Sequence, residues 1–168
     1  ANPPSTAVLL IEIDGRLAGP ADGFLILSNQ NTIQGLNIYN FQLNGIHING
    51  NPEAAVNNIY CNFIGTNLAG TADYGNGTAM TSLTAGVYID NVPGGFTFNN
   101  IVTQNLISGN YAEGVAVIGP QLPGDVYGNQ IIANYIGTDI TGMFDLGNDH
   151  EGVCLAEGTH DNMVAGNL

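Results

Sequence analysis

Asp90 and Glu113 are the acids whose positions suit hydrolytic chemistry, since Asp90 follows the apolar run at Gly86 to Ile89 and Glu113 precedes the one at Gly114 to Val117. Glycoside hydrolysis needs two carboxyl groups roughly 5 to 10 Å apart, one of them acting as the acid. Stacked neighbouring turns would bring these two together, although acids at strand ends in solvated loops need no such role. Asp139, Asp145, Asn148, Asp149 and Glu151 concentrate oxygen atoms in one glycine-containing loop. Ca²⁺ takes six to eight such ligands, so the loop offers a Ca²⁺ site, but its spacing is not that of an EF-hand. Solvated acids that keep the chain soluble are the alternative.

The three histidines are less suggestive. His47 lies between Ile46 and Ile48 and is expected to point outward, alone. His150 and His160 stand among Asp149, Glu151 and Asp161, yet their spacing matches no zinc pattern. No Gly-Xaa-Ser-Xaa-Gly elbow occurs. Cys61 and Cys154 read as packing thiols, because two cysteines make no disulfide framework. Asn76, Gly77 and Thr78 form an N-glycosylation sequon in an expected loop. Tyr39, Tyr60, Tyr88, Tyr111 and Tyr135 offer platforms for sugar rings, or simply pack along strands.

Composition removes several classes of partner. Among 168 residues there are 14 acids and one basic side chain, Arg16, for a net charge of −13. Such a surface repels phosphate backbones and anionic lipid heads, so neither nucleic acid nor membrane insertion is expected. No apolar run approaches the roughly 20 residues that span a bilayer. Hydrophobic residues make up 44% and charged residues 9%. That balance supports a real core under a neutral polar surface.

What must position these side chains is a repeat. Asn129 to Asn148 nearly copies Asn57 to Asn76, displaced by 72 positions. More broadly, an Asn, an apolar residue two positions on, and a second Asn recur along the chain. The instances are Asn57, Ile59 and Asn62; Asn100, Val102 and Asn105; Asn129, Ile131 and Asn134; and Asn162, Val164 and Asn167. Asn31, Ile33 and Leu36 precede them, with Leu36 in place of the second Asn. A second grammar lies between, a Gly followed by an apolar pair two positions apart: Gly45, Ile46, Ile48; Gly86, Val87, Ile89; Gly114, Val115, Val117; Gly152, Val153, Leu155. Residues two apart share one face of a strand.

Segments this short bury their apolar faces only by stacking. Parallel strands about 4.8 Å apart set like residues above one another, so their amides can donate and accept along a column. Asn57, Asn100, Asn129 and Asn162 are expected to form one ladder, and Asn62, Asn105, Asn134 and Asn167 another. Successive leading Asn residues are 26, 43, 29 and 33 apart, so the surplus must loop outward, at Asn67 to Thr81 and Asp139 to Asp149. Pro93 to Gly95 and Pro120 to Gly124 mark bends. The expectation is an all-β parallel β-helix, a solenoid of about five to six coils with outward loops. Residues 1–168 form one domain or an excerpt of a longer solenoid, with 1–22 an irregular lead-in and first coil and 23–168 the repeats.

The run Asn62, Ile64, Gly65, Thr66, Asn67, Gly70, Thr71, Gly75, Asn76, then Gly86, Val87 and Ile89, with its second copy at Asn134 to Leu155, resembles bacterial right-handed parallel β-helix repeat proteins of the pectate-lyase-like fold group. The resemblance covers about Gly23 to Leu168. It implies the right-handed fold and a secreted or surface-attached setting. Lyases of that group use a Lys or Arg as base, and here Arg16 lies in the N-terminal part, so a lyase is not expected. The function expected is a non-catalytic stalk, filament unit or adhesive segment at the cell surface or outside it. Its partners would be itself, end to end, or further coils of the same protein. The alternative is a carbohydrate-active or carbohydrate-binding segment, with glycans as partners and Asp90, Glu113 or the acidic loop as its site.

Overall fold

The computed structural model describes residues 8–78, 84–119 and 125–168. The lead-in up to Thr6, the bend at Pro120 to Gly124 and the end of the first excursion lie outside the described residues. Among them are eighteen short strands and no helix. The first pass holds β1 (Ile11–Asp14), β2 (Phe24–Ile26) and β3 (Thr32–Gln34). The second holds β4 (Leu36–Tyr39), β5 (Ile46–Gly50), β6 (Glu53–Ala55) and β7 (Asn58–Tyr60). The third holds β8 (Phe63–Ile64), β9 (Ala85–Asn91), β10 (Phe96–Phe98) and β11 (Ile101–Thr103). The fourth holds β12 (Leu106–Ile107), β13 (Glu113–Ile118), β14 (Asp125–Tyr127) and β15 (Gln130–Ile132). The fifth holds β16 (Tyr135–Ile136), β17 (Val153–Ala156) and β18 (Met163–Ala165).

Each pass visits the same sheets in the same sequence. The sheets run β1-β4-β8-β12-β16, β2-β5-β9-β13-β17, β6-β10-β14 and β3-β7-β11-β15-β18, and every strand pair is parallel. Parallel neighbours need a crossover. Here the rest of the pass supplies it. The strand β1 lies within the expected lead-in and is already paired to β4, Ile13 opposite Ile38.

Register turns the sequence repeat into columns. Ile46, Val87, Val115 and Val153 stand opposite one another, as do Ile59, Val102, Ile131 and Val164. Ile38, Ile64 and Ile107 form another column, and the middle members of all three are fully buried in one cluster. Burying each such side chain is worth about 1.5 to 3 kcal/mol.

Two backbone features explain the grammars. Every ladder Asn of the two expected files follows a residue with positive φ: Gln30, Val56, Asn99, Gly128 and Asp161 before one file, and Cys61, Gln104, Ala133 and Gly166 before the other. This left-handed residue makes the tight corner that swings the next side chain inward. The strand-leading glycines meet one another. A Cβ on Gly45, Gly86 or Gly114 would lie 2.7 to 2.8 Å from the carbonyl oxygen of the next one along.

Candidate functional site

The two expected amide files are hydrogen-bonded throughout. The N–H and Nδ2 of Asn57 donate to Oδ1 of Asn100, Asn100 does the same to Asn129, and Asn129 to Asn162. Asn31 joins the file by donating to Asn57 in the same double manner. Asn62, Asn105, Asn134 and Asn167 repeat the arrangement, and Leu36 ends the file by donating its N–H to Asn62. A third file was missed by the sequence reading. Phe41 donates its N–H to Asn76, which donates to Asn110, which donates to Asn148. The signal was present as an adjacent Gly-Asn pair repeated at Gly75-Asn76, Gly109-Asn110 and Gly147-Asn148.

This third file bears on two expectations. Asn76 is fully buried, with Nδ2 donating to the Ile38 carbonyl and to Asn110, so the sequon offers no accessible acceptor in the folded chain. Asn148 has Oδ1 taken by both nitrogens of Asn110, which uses both lone pairs of that oxygen. It is not a free Ca²⁺ ligand.

The remaining members of the acidic loop do not converge either. Asp139 Oδ1 accepts from Thr141 N–H and Oγ1 and from the N–H groups of Met143 and Phe144. Those bonds, led by the Thr141 hydroxyl, hold its carboxyl below the usual range. Asn67 does the same work in the first excursion, accepting from Thr71 and Ala72. The loops are closed alike by the bridges Thr66 to Asp73 and Thr138 to Asp145. Asp145 caps Gly147 N–H at 2.9 Å. Asp149 and Glu151 lie beyond the Asn148 corner, and Glu151 instead meets Glu113 and His150, one polar atom of each within 4.8 Å of the others.

A depression lies on the outward face of the second sheet. It is a groove of about 580 Å³ whose lining includes Asp22, His47, Asn49, Tyr88 and Asp90. Strand alternation turns His47 out between buried Ile46 and Ile48, and register sets it beside Leu25 and Tyr88. It is not alone, as the sequence suggested. Nδ1 faces Asp22 at 3.3 Å and Nε2 faces Asp90 at 2.8 Å. Asp22 sits in the first pass, His47 in the second and Asp90 in the third, so one ring ties three passes. Asn44 secures Asp22 by donating its N–H and Nδ2 to Oδ1, while Asn49 donates to Asp90. Burial opposes a charge on His47, but the two carboxylates outweigh it and push the ring up to about 9. Burial likewise works to raise Asp22, and its bonds from His47 and Asn44 overcome that and lower it. A ring bonded at both nitrogens and charged at neutral pH is a clasp rather than a general base.

Asp90 and Glu113 do not form a hydrolytic pair. Glu113 stands opposite Ala85 at the start of its strand, while Asp90 stands opposite Asn49 near the other end. Five residues of strand separate the two levels, about 16 Å. The tyrosines gather on no single face. Tyr39, Tyr88 and Tyr135 are buried, and Tyr39 donates its hydroxyl to Glu12. The stacked rings are Phe98, Tyr127 and His160, at 5.2 and 5.4 Å, with His160 held between Asp125 and Asp161. Cys61 and Cys154 are both free thiols. No family model, curated protein or solved structure matches the chain.

Proposed function

We propose that the four parallel sheets are the sides of a right-handed parallel β-helix, and that the chain works as a non-catalytic rod: a stalk, filament unit or adhesive segment at the cell surface or outside it. The observation that carries this reading is the set of three amide files, each tying successive passes by paired hydrogen bonds. They resist sliding and bending of one pass on the next, and their central amides are fully buried. Right-handedness follows from the strong preference of parallel crossovers. Among the described residues no helix is long and apolar enough to cross a membrane.

The interior columns support stacking beyond the described passes. Val164 is 44% exposed where Ile131 and Val102 beneath it are at 0%. In the rod reading, a second copy stacks on that face and pairs with the open edges of β16, β17 and β18. Light scattering over a concentration series, with electron micrographs of the same samples, tests the rod. Elongated particles of constant width are expected, lengthening as concentration rises. Compact particles of one size at every concentration overturn it.

A second reading has one observation in its favour. The groove around His47 presents carboxylates and amides beside the exposed Leu25 and Leu27, which suits a neutral glycan. Glycan-array binding that disappears with Asn49→Ala favours that reading.

A further inference from the structure

Glu113, His150 and Glu151 meet at the leading edge of the second sheet, away from the groove. Val115 pairs with Val153, and Gly114 N–H donates to the Glu151 carbonyl at 2.9 Å. That register sets Glu151 level with Glu113 on the neighbouring pass. The N–H of His150 is fixed on the Ala112 carbonyl at 3.2 Å. Thus three side chains with metal-binding atoms are carried by two segments that the backbone holds together. A hollow of about 560 Å³, lined by Asp149, His150 and Glu151, opens beside them.

The histidine here differs from the other two. Both ring nitrogens of His47 and of His160 face carboxylate oxygens at 2.8 to 3.3 Å. His150 makes no side-chain hydrogen bond among the described residues; its Nδ1 is 3.8 Å from Oε1 of Glu113, beyond bonding reach. The two glutamates are like charges on adjacent passes, Glu113 opening β13 and Glu151 two residues before β17, and like charges so placed repel. The single basic side chain of the protein, Arg16, is paired with Asp14 in the first pass and cannot relieve them. The three groups offer one imidazole nitrogen and two carboxylate oxygens, each within 4.8 Å of the others.

We propose that Glu113, His150 and Glu151 bind a divalent first-row transition-metal ion of the Zn²⁺ type. One imidazole with two carboxylates suits that class better than Ca²⁺, which prefers oxygen alone. Three protein ligands leave a coordination position for water. Because Glu113 belongs to the fourth pass and the other two to the fifth, the ion fastens these passes together outside the amide files. The proposal is independent of the rod reading.

Calorimetric titration of the metal-free chain with Zn²⁺, and separately with Ca²⁺, tests it alongside the thermal midpoint. One Zn²⁺ per chain and a raised midpoint are expected, with His150→Gln and Glu113→Gln each lowering affinity about tenfold or more. His150→Gln removes no side-chain hydrogen bond, so it keeps the fold, and circular dichroism verifies this. Absence of Zn²⁺ binding by the wild-type chain overturns the site. Binding by His150→Gln as tight as wild type also overturns it, because it marks diffuse attraction to the acidic surface.

Discussion

Asn62 and Asn105, 43 residues apart in the chain, share one oxygen: the N–H and the Nδ2 of Asn62 both donate to Oδ1 of Asn105, at 2.9 and 3.1 Å. A carbonyl oxygen has two lone pairs, and both are used. Asn105 then donates its own Nδ2 to Oδ1 of Asn134 and to the Ile59 carbonyl. Each member satisfies the corner of the pass before it and relies on the pass after it.

Replacing a central member should therefore cost more than one hydrogen bond. Asn105→Ala leaves the buried N–H of Asn62 without its partner and removes the Nδ2 donor shared by the Ile59 and Thr103 carbonyls and by Asn134. At about 1 to 3 kcal/mol for each buried group, the loss is about 3 kcal/mol or more. Asn31→Ala, at the half-buried start of its file, should cost about 1 kcal/mol. Urea unfolding of both variants checks the ordering; equal losses would refute a file that carries load through its centre.

Gly86 is enclosed by a backbone carbonyl and by the buried side chains of Ile107 and Asn110. A Cβ there would sit 2.8 Å from the Gly114 carbonyl oxygen and 2.8 Å from Ile107 Cγ2. Gly86→Ala must push two passes apart, for about 1 to 3 kcal/mol. Gly94→Ala has no neighbour within 4 Å, but its φ of +84° strains the alanine. Comparing their thermal midpoints separates crowding between passes from local strain, and crowding predicts the larger drop for Gly86→Ala.

The sequence carried the columns because a stacked structure repeats identical needs at identical places. Asn at a corner and Gly beneath a carbonyl are narrow requirements, so Asn57, Asn100 and Gly86 announce themselves. The left-handed corner residue is a broader requirement. Gly128 and Gly166 satisfy it without strain, but Gln104, Ala133 and Val56 occupy the same place, so no single residue type marks it. The clasp at His47 was invisible for a different reason. Its partners lie 25 residues before it and 43 after it, and only the length of each excursion decides which outward acids come level with the ring. In the acidic loop Asp139 serves its own backbone and Asn148 a neighbouring amide, uses that a cluster of oxygen-bearing residues does not disclose.

Val56 has φ of +58° and a branched Cβ, in the position where other passes place Gly128 or Asn99. Its side chain is 47% exposed, so little packing depends on it. A left-handed conformation costs an L-residue about 1 to 2 kcal/mol, part of which glycine returns as entropy lost on folding. Val56→Gly should raise stability by about 0.5 to 1 kcal/mol. Chemical denaturation measures it, and a destabilised variant would show that the Val56 side chain packs in a way its exposure conceals.

His47 gives the chain a pH dependence of defined sign. Burial disfavours its charge, yet Asp22 and Asp90 raise it from 6.5 to about 9. A raised value means that the folded state holds the proton more tightly than the unfolded chain does. The stabilisation is complete below pH 6.5 and is lost as pH rises through about 9. Its size is on the order of 3 kcal/mol. On the acid side, Asp22 is lowered from 3.8, so its share is present above that value and disappears as pH falls. His160 is raised as well, by its bonds to Asp161 and Asp125. The stability difference between wild type and His47→Gln removes that background. It should be largest near pH 6 and shrink toward pH 10; a difference that stays constant over this range would mean the ring packs between the two acids without its charge.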